Sequence, residues 1–218
     1  MDIRPETYRV CRLLLESGDV ALYRPEGMEP INHAIAHAGR LPGAEPWQWY
    51  AHAGMLLWQG DCLMLLETLQ GTGGREVTFS SQVRGWSGQY DVYRPLAPFD
   101  ERAATQVMVR LAGTPYGWVS LARAAAKRII PNLKTPKDRD IEEAILGEDP
   151  IWPFCSQAVS MACRAGGRDP CPEREDALTE PGHLADPDFA RYVCTPCWTE
   201  EDVRRVREPW EARRCESE

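Results

Sequence analysis

The spacing of apolar residues changes near Pro98: before it they come in short runs broken by Gly and Pro, and beyond it they recur at helical intervals. Tyr8, Cys11, Leu14 and Leu15 predict an opening helix over 4–16, with Gly18 where a helix end favours a left-handed residue. A short strand follows over 19–23 and stops at Pro25; 30–39 suits a short helix, and 40–48, with Pro42, Gly43 and Pro46, a loop. Two apolar runs, 50–58 and 61–69, flank Gln59 and Gly60 and predict a β-hairpin. Further strands are expected over 75–80 and 89–96, separated by a Gly-rich bend at 85–88.

In the second half, Asp100 can cap a helix that runs to Leu111 and ends at Gly113. Helices are also expected over 117–130, 140–146 and 154–165, the last following Pro153 and stopping at Gly166 and Gly167. Thr199 and Asp202 form a capping-box pattern for a final helix to about Arg213. Strands early and helices late define an α+β layout. With no internal repeat, 1–218 reads as a single domain, of which 194–218 is a C-terminal extension with a short helix.

The hairpin carries the first chemical signal. A two-residue turn at Gln59 and Gly60 sets Trp58 opposite Asp61 and His52 opposite Glu67. Directly opposed residues have Cβ atoms about 4.5–5.5 Å apart, so the carboxylate can hold one imidazole nitrogen and leave the other for a nucleophile. A three-residue turn would pair His52 with Thr68 instead. The second signal is Cys155, in Trp152-Pro153-Phe154-Cys155-Ser156-Gln157, at the first turn of an apolar helix. Helix dipole and open backbone amides stabilise a thiolate there, and a neighbouring imidazolium adds to both. The same position also suits a buried structural cysteine.

Several short motifs occur in a telling order. Gly18-Asp19-Val20, Ala51-His52-Ala53-Gly54, Leu65-Leu66-Glu67 and Phe154-Cys155-Ser156 together resemble the circularly permuted, YiiX-like branch of the NlpC-type cysteine peptidases. Gly113-Thr114-Pro115-Tyr116 is similar to that family's Gly-x-Pro-Tyr element, and 179–193 to its post-helix segment. Gln157 and Gly117 stand where relatives often carry other residues. The resemblance implies a permuted papain-like fold, a small antiparallel sheet or partial barrel packed against helices. It implies Cys155 as nucleophile, His52 as base, Glu67 as orienting residue, and Tyr116 near the thiol or oxyanion. It points to amide hydrolysis of cell-wall (peptidoglycan) peptides or related small amides. Permuted relatives also include acyltransferases, so lipid acyl transfer or ester hydrolysis is the alternative, and a silent binding module a third.

Bulk properties narrow the setting. A net charge of −8 over 218 residues argues against a nucleic-acid or anionic-membrane partner. No apolar run is long enough to span a bilayer, and residues 1–16 lack a signal-peptide core, so a cytoplasmic protein is expected. Its eight cysteines are then expected as thiols. His33 and His37 share a four-residue spacing but lack the Glu of a zinc-peptidase helix, and Cys194 and Cys197 lack a second pair, so no metal and no cofactor is expected. The expected partner is a small peptide or amide substrate. The glycines at 71, 73 and 74 suggest a mobile loop beside the site, and Trp49, Trp58 and Trp86 are candidates to line a groove.

Overall fold

The structure, a computed structural model, describes residues 4–25, 37, 49–85, 88–129 and 152–215. Among these, the chain forms β1 (Pro5–Thr7), α1 (Tyr8–Cys11), β2 (Val20–Pro25), β3 (His52–Gln59), β4 (Cys62–Leu69) and β5 (Gly73–Thr78). It continues through α2 (Phe79–Gly85), β6 (Gly88–Pro95), α3 (Glu101–Arg110), α4 (Trp118–Ile129) and α5 (Cys155–Ala165). Two 3-10 turns, Asp176–Leu178 and Pro181–Ala185, lead to β7 (Ala190–Cys197) and α6 (Glu200–Cys215). The architecture is α+β, with one mixed seven-stranded sheet in the order β1-β7-β6-β2-β3-β4-β5. The β1–β7 pair is parallel and the other neighbours are antiparallel.

The period of two along β2 divides the core between the two faces of the sheet. Val20 and Leu22 join Met55 and Leu66 under Val107 and Met108 of α3 and Ala158, Val159 and Ala162 of α5. Ala21 and Tyr23 point the other way, into a second cluster with Leu56, Leu65, Cys11 and Phe79. At the sheet centre, buried Asp91 accepts from the Tyr50 hydroxyl at 2.8 Å, from Thr195 and from Arg24, tying β6 to β7 and β2.

Four expectations need correction. The opening helix keeps only Tyr8–Cys11, because residues 5–7 pair with β7 and that ladder outweighs local helical spacing. Gly18, at φ +85°, serves a close approach instead of a helix end: its amide donates to Leu56 O, and a Cβ would lie 3.0 Å from Glu101 Cβ. The strand expected over 75–80 stops at Thr78, where Phe79 turns into the second cluster and starts α2. Finally, the helical second half contains β7, between β1 and β6, so the segment from 194 onward begins inside the sheet. Pro196 hid this strand, since a proline inside a run argues against one even where Tyr192, Val193 and Thr195 favour it.

The capping readings hold. Asp100 accepts from Ala103 N at 2.9 Å, and Thr199 and Asp202 bond each other's backbone amides at 3.1 and 2.9 Å. The short helices expected over 30–39 and 140–146, and the loop at 40–48, lie outside the described residues apart from His37.

Candidate active site

The hairpin forms with its turn one residue later than expected. Gln59 pairs with Cys62 and the loop is Gly60 and Asp61, with Gly60 at φ +58°, as a turn with glycine in its first central position requires. Sliding a two-residue turn by one position moves every pairing by two, which preserves the face each side chain occupies. Glu67 therefore stands opposite Gly54 and reaches His52 on the diagonal. Glu67 Oε2 lies 2.6 Å from His52 Nε2, and both residues are buried. The glycine matters: a Cβ at Gly54 would stand 3.3 Å from Glu67 Cβ and 2.7 Å from Leu65 Cδ1.

The same register exposes a backbone donor. Leu56 N–H donates to Asp19 O, just ahead of β2, so by alternation the Ala53 N–H points toward β4. The β3–β4 ladder stops at Gly54 and Glu67, and the Ala53 amide bonds the Cys155 sulfur instead. Cys155 is the first residue of α5, after Phe154 in extended backbone. Its sulfur also takes the Ser156 amide and is hydrogen-bonded to His52. With Nε2 held by Glu67, His52 presents Nδ1 to the thiol.

The electrostatics follow from this packing. Burial opposes ionisation of Cys155, but the facing imidazolium and the two amides outweigh it and lower the thiol pKa. Burial likewise opposes charge on His52, yet the Cys155 thiolate and Glu67 carboxylate raise it to about 10. Desolvation would push Glu67 up; His52 and Arg75 together hold it below the usual carboxylate range. Arg75 stands directly across from Glu67 on β5 and grips Oε1 through Nε at 2.8 Å and Nη2 at 2.5 Å.

Tyr116 is brought to the same place. It is buried, its hydroxyl bonds Gln70, and burial with the neighbouring Cys155 charge raises its pKa, keeping it a protonated donor. Bare backbone allows the approach. Gly73 and Gly74 open β5 in place of a loose loop, because Cβ atoms there would stand 2.0 Å from Thr114 O and 1.8 Å from Leu111 O. The Gly74 amide bonds Thr114 O, and Gly113 N bonds Gly74 O, which pins the 111–115 turn beneath Tyr116. A Cβ at Gly117 would lie 2.0 Å from Trp152 O, so glycine there lets the strand of chain leading to Cys155 pass.

The structure thus brings Cys155, His52, Glu67 and Tyr116 together. Trp58 is elsewhere, near the hairpin tip, with Nε1 on Leu15 O and Arg12 over its ring. Trp49 packs edge-on to His37 at 5.7 Å, while His33 and Trp86 lie outside the described residues. Cys11, Cys62, Cys155, Cys163, Cys171, Cys194 and Cys197 are thiols, and Cys194 meets Cys11 across the second cluster instead of pairing with Cys197. Among the described residues no group of three or more His, Cys, Asp or Glu is arranged for a metal ion, and no helix is long and apolar enough to cross a membrane.

Sequence reasoning missed Arg75, Gln70 and the Ala53 amide. Arg75 was within reach, since Gln70-Gly71-Thr72 is a three-residue hairpin loop whose closure sets opposite charges at 67 and 75 face to face. Compared with known proteins, the chain matches no family model and no curated protein.

Proposed function

We propose that the protein is a cysteine hydrolase that cleaves amide bonds through an acyl-enzyme on Cys155. The observation that carries this reading is the unbroken hydrogen-bonded line from the Cys155 sulfur through His52 to Glu67, set at a helix N-terminus. The thiolate attacks the carbonyl carbon and a C–S bond forms. Negative charge passes to the carbonyl oxygen, which the Cys155 backbone amide in the first turn of α5 and the protonated Tyr116 hydroxyl can receive. His52 then gives its proton to the departing amine and the C–N bond breaks. Water, deprotonated by His52, attacks the acyl carbon and releases the acid and the thiolate.

The order His52, Glu67, Cys155, together with Gly113-Thr114-Pro115-Tyr116, supports a permuted papain-like arrangement of the NlpC type, with peptidoglycan-derived peptides or related small amides as substrate class. A specific feature favours a second reading, ester hydrolysis or lipid acyl transfer by the same groups. Trp118 and Val119, 50% and 63% exposed, stand beside Tyr116 and offer an apolar edge that no contiguous stretch of sequence announced. The deciding experiment is incubation with short peptide amides and with acyl esters, using Cys155→Ala as control and mass spectrometry to trap acyl-Cys155. Amide turnover lost in Cys155→Ala supports the proposal; no turnover and no acyl adduct with either substrate class overturns it.

A further inference from the structure

Four charged or chargeable side chains form one row across α5, β3, β4 and β5: the buried Cys155, His52 and Glu67, and the half-buried Arg75. Glu67 is 2% exposed and bonds His52 with one carboxylate oxygen and Arg75 with the other. The row alternates in sign when the thiol is ionised and His52 protonated, and its net charge is then zero. We propose that Arg75 is a positioning residue that sets the pH at which Cys155 becomes a thiolate, by neutralising Glu67 from the side opposite His52. This rests on the reading of Cys155 as an activated nucleophile and adds a control on it that the chain's nucleophile, base and acid do not supply.

The argument is one of charge balance in a low-dielectric place. Without Arg75, the ionised site holds two negative charges against one positive, buried where burial already opposes charge on each. Such a site takes up a proton more readily, and the thiolate is the group that receives it. Other groups facing the row are Tyr116 near Cys155, and Tyr90 and Gln82 near Glu67 and Arg75. The tyrosine hydroxyls are kept neutral by burial, so neither can replace the guanidinium. Lysine would be a poor substitute, since the planar fork bonds Oε1 through two nitrogens and a lone ammonium cannot.

The test is the pH profile of Cys155 alkylation by iodoacetamide, read by mass spectrometry in the full chain, which needs no substrate. Arg75→Gln should move the acid limb upward by about one pH unit, a roughly tenfold slower reaction below the limb. Glu67→Gln, which leaves Arg75 uncompensated, should move it downward, and the Arg75→Gln/Glu67→Gln double variant should return it close to wild type. The Glu67→Gln and double variants alone reveal the effect should Arg75→Gln fail to fold. An unchanged limb in Arg75→Gln, or a double variant no different from Glu67→Gln, overturns the role of Arg75 while Cys155 remains an activated thiol. A wild-type Cys155 that reacts no faster than the exposed Cys62 overturns both this inference and the proposed function.

Discussion

Glu67 meets His52 on the diagonal of the β3–β4 hairpin, two residues from the position it directly opposes, and Gly54 occupies that opposed position. The contact depends on an absent side chain. Gly54→Ala should place a methyl 2.9 Å from Leu66 O and against Leu65 and Glu67, forcing the strands or the carboxylate to move. The expected cost is about 1–3 kcal/mol by denaturant unfolding, the usual range for overpacking a filled core. Cys155 alkylation should slow as well, because displaced Glu67 no longer holds the imidazole. A stability loss with unchanged Cys155 reactivity would show that the diagonal contact does not tune the thiol.

That hairpin also explains how much could be read from sequence. The partners His52 and Glu67 were legible although the turn slid by one residue, because such a slide keeps parity. The helix N-terminus beneath Cys155 was legible from Pro153 and the apolar run behind it. Hidden were the features that depend on distant backbone. The Ala53 amide reaches Cys155 only because the ladder ends at Gly54, and the sequence of β3 does not record where its pairing stops. Strand β7 owes its place to partners on β1 and β6, so local preference around Pro196 pointed away from it. The glycines at 73, 74 and 117 read as loop residues when they are close-approach sites, a distinction set by carbonyls far along the chain.

The thiols should separate by pH. Cys155 is lowered by His52 and two amides, whereas burial raises Cys163, and Cys194 and Cys197 are raised as well. A thiol with a lowered pKa remains ionised as pH falls, while a thiol without such stabilisation loses about tenfold of its thiolate per pH unit below its pKa. The ratio of Cys155 to Cys62 alkylation should therefore grow as pH drops from about 9 toward 6, and His52→Ala should flatten it. A ratio independent of pH in the wild type would contradict the thiolate–imidazolium pair.

Gly117 should be as sensitive as any residue of the site itself. Its missing Cβ leaves room for Trp152 O, and its amide bonds Pro153 O, so the two segments carrying Tyr116 and Cys155 are held side by side. Gly117→Ala should separate them, lowering Tm by several degrees and slowing amide turnover by at least tenfold. Glu67→Gln, by contrast, keeps shape but gives His52 an amide in place of its carboxylate acceptor, so the imidazole loses its proper tautomer for proton transfer, and turnover should fall by about 10²–10⁴-fold with the fold intact by circular dichroism.

The substrate class turns on the rim beside Tyr116. An extended peptide needs polar partners along its backbone, and Gln70 and Gln157 near the thiol can provide them, Gln157 with a buried Oε1 that has no partner among the described residues. An acyl chain needs apolar cover, at about 0.8 kcal/mol per buried CH₂, and Trp118 and Val119 supply two exposed side chains. Two side chains shelter only a few methylenes, so long-chain esters should gain little over short ones. We expect short peptide amides to be turned over with kcat/KM reduced less than tenfold in Trp118→Ala, and Val119→Asp to be similarly mild. Kinetics across an ester series of increasing chain length check this directly. A steep rise in kcat/KM with chain length, abolished by Val119→Asp and absent from peptide amides, would transfer the same nucleophile and base to lipid chemistry.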